Sequence, residues 1–470
     1  MGFVFYDVET TGLSYHFDQI LQFAAIRTDA DLNELDRFEI RCRLLPHVVP
    51  SPKALTVTGV PIGRALDPSL PTHYEMVCEI ARRLAGWSPA IFLGWNSLEF
   101  DEHMLRQALY QNLHWPYVTN TEGCNRTDLM KLAQALSFLQ PGALTVPTGP
   151  NGKLTFKLEL FAPANGVEHG HAHDALADVA ATVQISRLLR DRAPDQWSDA
   201  LRFSQKAAAA AFLEDETACL ITECYFGNPY QFALAKIGVD AQDKVLAFDL
   251  EADPDELRPL TDEALIARLK RKIKPVRRVR TNASPLLHPI DAYETFHGYT
   301  PDELLARAEN VRADHELCAR LCEAAEREDL EPSEHVEMQI YDSFSAQADR
   351  ARMEQFHLAD WNGKAGVAET FEDQRLVHFG RRLIYLHSPT SLTPELRTAI
   401  EIQLAHRMTG HGMIDIPWTT LASADAEAVT LLASCSQEEA SILQPLRAYF
   451  AAERERCQPP LGPVEVVLVD

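Results

Sequence analysis

The sequence predicts an α/β domain followed by a mixed region and then a helical one, and three observations predict it. Short apolar runs alternate with helical periodicity through residue 195. β-like segments interleave with helices between 196 and 345, and from 346 onward the pattern is helical. A chain of 470 residues fits about three domains. At 46% hydrophobic and 24% charged residues it has the composition of globular proteins, which excludes a wholly disordered chain.

In order, Phe3 to Tyr6 reads as a short strand and Ile20 to Ile26 as its neighbour. The continuous apolar run Ile91 to Gly94 reads as a strand buried on both faces. Helical spacing follows at 74–86, 98–112, 127–139 and 175–192. Arg192-Ala-Pro-Asp195 closes the last of these and sets the first boundary, giving domains 1–195, 196–345 and 346–470. The middle region pairs a helical Ala207–Phe212 stretch with strand-like segments at 232–237 and 245–250, then a helical pattern at 301–328. Beyond it, 394–408 and a helical pair within 425–457, broken near Ser434–Ser436, complete the pattern.

The formal net charge of −24 argues against a general nucleic-acid binder, until its distribution is considered. Residues 1–195 hold 16 basic and 22 acidic side chains, 196–345 hold 17 and 29, and 346–470 hold 11 and 17. Inside the most acidic region, 268–280 carries eight positive charges in thirteen residues and no acid. Such a tract is either a solvated charge run or a phosphate-tracking surface, for which Arg277, Arg278 and Arg280 are candidates. Nine scattered cysteines without C-x-x-C spacing read as reduced thiols, and no zinc site is expected. The start of the chain has no basic n-region and no apolar run reaches 18 residues, so a cytoplasmic protein without a membrane span is expected.

Three acidic constellations carry the chemistry. Asp7-Val8-Glu9 follows the first strand, and residues i and i+2 of a strand point to one face. Thr10-Thr11-Gly12 then forms a turn whose hydroxyls and amides suit a phosphate or terminal sugar. The second constellation is the polar turn after Gly94, with Asn96 in the turn, Asp101 in the first turns of a helix, and Glu99 and Glu102 expected to face solvent. The third is His169-Gly-His171-Ala-His173-Asp174 with Asp178 one turn into the next helix. Asp174 suits the N-cap, and His169 and His171 read as exposed loop residues. Four carboxylates suit two Mg²⁺ or Mn²⁺ ions, and a histidine beside them suits proton removal from water.

Asp7-x-Glu9, Asp101 and His173-x₄-Asp178, in this order, resemble the DEDDh 3′→5′ exonucleases of the DnaQ-like superfamily. Asp174 stands where the tyrosine variant would need Tyr. Gln22–Asp29, Ala164–His169, Ile340–Phe344 and Ala348–Met353 extend the resemblance to the bacterial exodeoxyribonuclease I family, whereas Thr11-Gly12-Leu13 follows the generic superfamily turn. The resemblance implies a ribonuclease-H-like nuclease domain, an SH3-like α+β domain and a C-terminal helical domain around single-stranded DNA, releasing 5′-mononucleotides from 3′ ends. It implies Asp7, Glu9, Asp101 and Asp178 as ligands to two Mg²⁺ ions (Mn²⁺ able to substitute) and His173 as general base. Thr10, Thr11 and Asn96 become candidate contacts to the terminal nucleotide, with Leu13 wedged against its base. The family also implies docking of the C-terminal tail of single-stranded-DNA-binding protein, a role in DNA repair and a monomer. The alternatives are an exoribonuclease or oligoribonuclease with the same site, or a non-catalytic repair scaffold. Five intact catalytic side chains and the long extra regions favour the DNA enzyme.

Overall fold

The computed structural model of the chain describes residues 2–170, 174–225, 228–240, 242, 244–271, 274–325, 333–411 and 415–457. The N-terminal sheet has the order β3-β2-β1-β4-β5, with β1 Gly2–Thr10, β2 Ile20–Thr28, β3 Glu34–Arg41, β4 Ala90–Gly94 and β5 Asn125–Asp128. β1 runs antiparallel to β2 and parallel to β4, and β4 runs parallel to β5. The period-2 alternation of β1 serves two cores. Phe3 and Phe5 pack toward helices Leu129–Leu139 and Ala175–Arg192, while Val4, Tyr6 and Val8 pack toward helices His73–Trp87 and Asp101–Gln111. A sheet covered on both faces needs apolar residues on both sides of its central strands, and β1 and β4 supply them.

β1 runs four residues past the strand read from Phe3 to Tyr6, so Asp7 and Glu9 lie within the ladder, opposite Ala24 and Gln22. β3 and β5 escape the apolar pattern because each is polar, and β5 is also short; Asn125-Arg-Thr-Asp128 pairs in register with Ile91–Gly94 of β4. The helix expected over 175–192 forms as Ala175–Arg192, capped by the Asp174 carboxylate on the Ala177 N–H. Past the boundary read at 195, helix Pro194–Phe203 continues directly, and its Trp197 and Ala200 join the core beneath Phe3.

A second five-stranded sheet, antiparallel throughout, has the order β10-β6-β7-β8-β9. Its strands are β6 Cys219–Tyr225, β7 Asn228–Val239, β8 Val245–Asp249, β9 Val276–Val279 and β10 Leu286–Pro289. Helices Pro301–Ala313 and His315–Ala324 cover one face, split at Asp314, whose carboxylate caps the second. Helix Lys206–Asp215 covers the other.

Helices Gln347–Leu358, Gln374–His387, Pro394–Thr409, Leu421–Leu432 and Gln437–Arg456 build the C-terminal region. It shares two cores with the N-terminal domain. Tyr74, Tyr110 and Leu113 pack with Phe356, Leu376 and Phe379, and Leu21, Leu44 and Leu55 pack with Leu421, Leu446 and Phe450. Between the two sits buried Glu337, whose Oε1 accepts from Arg382 at 2.7 Å and Arg407 at 2.5 Å. The Glu337 carbonyl accepts from Gln107 of helix Asp101–Gln111 at 2.8 Å. Burial alone would raise the Glu337 carboxyl, but the two guanidiniums overcome it and hold the group far below the usual carboxylate range. No helix among the described residues is long and apolar enough to cross a membrane.

Candidate active site

The alternation of β1 puts Asp7 and Glu9 on the face that helix Ala175–Arg192 covers, and Asp178 lies in that helix's first turn. Carboxylate oxygens of Asp7, Glu9 and Asp178 lie within 4.8 Å of one another. Asp101 joins them from the other side of β1. It opens helix Asp101–Gln111, is buried, and its Oδ1 accepts the Val8 N–H at 3.0 Å, between the two β1 acids.

The turn after β4 explains how Asp101 arrives there. A Cβ on Gly94 would fall 2.5 Å from the Ser97 Cβ and 2.9 Å from the Tyr6 carbonyl, so only glycine fits. Asn96 adopts φ +63°, a conformation asparagine tolerates better than most residues. Buried Asp128 then fastens the turn, accepting the Asn96 N–H at 3.1 Å and the Leu98 N–H at 3.0 Å while capping helix Leu129–Leu139. Asp128 was missed as a site residue; its one sequence signal is an acid directly before an apolar helical run.

The electrostatics of the cluster are those of like charges forced together. Burial first, then the neighbouring acids, raise Asp7 well above the carboxylate range. The same causes push Glu9 up to about 8. Burial, opposed by the Val8 N–H and reinforced by Asp128 and Asp178, pushes Asp101 up to about 8. A site of hard oxygen donors that ionise reluctantly on their own has the chemistry of a divalent-cation site. The ligand set expected for metal therefore fits it.

Several residues sit elsewhere than the sequence suggested. The His169 side chain is buried, its Nε2 2.5 Å from Asp178 Oδ1. His171 and His173 lie outside the described residues. Glu102 does not face solvent; it is buried, accepting from Tyr6 Oη, Arg106, Thr119 and Arg126, since helix periodicity turns it under β1. Glu99 is exposed, as expected, and pairs with Lys131.

Thr11 cannot contact a nucleotide. It is fully buried, its hydroxyl donating to Asp18 and accepting the Gln19 N–H, which braces the loop. A Cβ on Gly12 would fall 2.5 Å from that same Asp18 carboxylate. Thr10 Oγ1 donates to the Gly12 carbonyl at 2.7 Å and shapes the same turn. Leu13, 83% exposed, projects at an open cleft of about 390 Å³ that Ile416, Pro417 and Trp418 line from the C-terminal region.

Two of the eight positive charges of the basic tract are spent on their own sheet. Arg277 pairs with Asp249 and Glu223 and lies 3.2 Å over the Phe232 ring, and Arg278 pairs with Asp240 at 2.6 Å. Strand pairing sets both guanidiniums beside acids of the same sheet, so neither is a free phosphate contact. Arg280, past the end of β9, is exposed and close enough to Glu99 to act on its carboxylate.

A family model described as an exonuclease matches residues 4–186, and one described as the exonuclease I C-terminal domain matches 334–453. The carboxylate site on this fold, within the first match, defines a hydrolytic nuclease. Exodeoxyribonuclease I of Escherichia coli is 28% identical over 401 residues, 80% of this chain and 83% of that protein. With both matches in tandem, the chain resembles the bacterial exonuclease I enzymes over most of its length. A solved structure of a moderately thermophilic exonuclease I from Methylocaldum szegediense is 26% identical with a TM-score of 0.85, covering 96% of this chain and 99% of that one. The zinc-ion-bound form of an E. coli exonuclease I–ssDNA complex is 23% identical with a TM-score of 0.83 over the same shares.

Proposed function

We propose that this nuclease removes 5′-mononucleotides from the 3′ end of single-stranded DNA, with two divalent cations held by Asp7, Glu9, Asp101 and Asp178. The observation that carries the reading is the convergence of buried carboxylates from β1 and two helices on one point. Bound Mg²⁺, or Mn²⁺, supplies Lewis acidity at the scissile phosphate and lowers the pKa of water there. The chain's own residues orient the reactants. Val8 N–H fixes Asp101, and His169 holds Asp178. His173, five residues before Asp178, is the base that takes a proton from the attacking water. Leu13 meets the terminal base across the cleft, and Asn96 faces the terminal sugar from its strained turn. Arg280 tracks the strand's phosphates.

DNA as substrate is supported by the single-stranded DNA complex of the E. coli relative. The middle antiparallel sheet is read as an SH3-like accessory domain that closes the strand in. A repair role, the single-stranded-DNA-binding-protein tail as partner, a monomer and a cytoplasmic location belong to the same reading. The test incubates the chain with 5′-labelled single-stranded DNA, duplex DNA and RNA of equal length, with and without Mg²⁺. Shortening of single-stranded DNA from its 3′ end, dependent on Mg²⁺ and lost in Asp7→Ala, is expected. Faster loss of RNA than of DNA would overturn the substrate assignment.

A further inference from the structure

Cys78, His114 and His357 meet at the seam between the N-terminal domain and the C-terminal helices, on the opposite side of helix Asp101–Gln111's length from its catalytic end. Cys78 lies in helix His73–Trp87, His114 in the turn after helix Asp101–Gln111, and His357 in helix Gln347–Leu358. Their separation in sequence is why cysteine spacing showed no metal motif. Cys78 Sγ is 3.4 Å from His114 Nε2 and 3.8 Å from His357 Nδ1, and all three atoms lie within 4.8 Å of one another. Zn–S and Zn–N bonds of about 2.3 and 2.0 Å at a tetrahedral angle set S···N edges of about 3.5 Å.

We propose that these three side chains form a zinc-class structural metal site that pins the C-terminal helices to the exonuclease domain. A thiolate and two imidazoles select a borderline-soft ion, whereas the carboxylate cluster selects a hard one, so the two centres do not compete for Mg²⁺. The tautomer of His357 is already set for the task. Its Nε2 lies 3.0 Å from the Leu113 carbonyl, to which it donates, and this leaves Nδ1 with a lone pair toward Cys78. The Cys78 thiol gives its proton to solvent as its sulfur bonds the ion. The Tyr74 hydroxyl sits 2.9 Å from His357 Nδ1 and the two imidazoles stack 3.8 Å apart. Binding turns the rings out of that stack so that both nitrogens face one ion, and water completes the tetrahedron. Cys78, His114 and His357 are each only partly buried, which leaves the ion a way in.

The test titrates Co²⁺ into chelator-treated full-length protein with Mg²⁺ in excess to occupy the carboxylates. One equivalent is expected to produce thiolate-to-cobalt charge-transfer absorption, which carboxylates cannot give. Asp7→Ala retains it, Cys78→Ser loses it, and His357→Gln weakens binding at least about tenfold. Zn²⁺ displaces the cobalt and raises the melting midpoint of wild type and Asp7→Ala but not of Cys78→Ser. Absence of the charge-transfer band in wild type overturns the site, whatever the folding of the variants. Persistence of the band in Cys78→Ser overturns it equally.

Discussion

Two groups of buried carboxylates in this molecule have been driven in opposite directions. At the carboxylate cluster, Asp7, Glu9 and Asp101 face other acids and are pushed up, two of them to about 8. At the domain seam, Glu337 faces Arg382 and Arg407 and is pushed down. Burial acts alike on both, so the neighbours decide the sign. The comparison teaches how to separate a site from a staple: unneutralised acids held together by backbone geometry await cations, whereas a neutralised acid holds elements in place.

The largest expected effect breaks the first half of that contrast. Asp7→Ala should lower the rate of single-strand hydrolysis on the order of 10³-fold while leaving the circular-dichroism spectrum unchanged. Glu337→Gln breaks the second half. It leaves two buried guanidiniums without their counter-ion and should cost about 3 kcal/mol or more in denaturant unfolding, in protein that still holds its carboxylate site.

The carboxylate half of this contrast was legible in the sequence, and the Glu337 half was not. Asp7, Glu9, Asp101 and Asp178 could be placed because strand and helix periodicities fix which way a side chain points. Glu102 was misplaced, since a charged residue at a helix start reads as solvated, and only the long-range partners Tyr6, Thr119 and Arg126 make its burial tolerable. The Arg277 and Arg278 guanidiniums were misjudged for the same reason: their partners Asp249 and Glu223 come from other strands of the sheet and Asp240 from just past the end of β7. Cross-sheet and cross-domain pairings leave no local pattern. The short polar β5 left none either, having no apolar alternation of its own.

The pH dependence of stability sharpens the comparison, because the two groups contribute opposite slopes. Glu337 has a depressed folded pKa, so its contribution is full above about 4.5, its unfolded value, and is lost as pH falls below it. Glu9 and Asp101 have raised folded pKa values. Their contribution in metal-free protein is full below their unfolded values near 4 and is lost as pH rises toward about 8. Unfolding free energy measured across pH should therefore lose part of its acid-side slope in Glu337→Gln. It should lose part of its neutral-side slope in Glu9→Gln. Relieving repulsion by Asp7→Asn should raise the metal-free melting midpoint by about 2–4 °C while abolishing activity.

The smallest effect concerns the basic tract. Arg280→Ala should flatten the salt dependence of single-strand binding by about 0.7 in the log–log slope, the share of one phosphate contact. Arg277→Ala should leave that slope unchanged and lower stability instead, since its guanidinium is already paired. Equal slopes in Arg280→Ala and wild type would remove Arg280 from the strand's path.

The central claim is that the raised carboxylates are a cation site, and direct counting of bound ions tests it. Mn²⁺ titrated into the chain with single-stranded DNA present, with free Mn²⁺ followed by electron paramagnetic resonance, should show two tightly bound ions per chain. Asp7→Ala should lose that binding. An unchanged stoichiometry and affinity in Asp7→Ala would contradict the account.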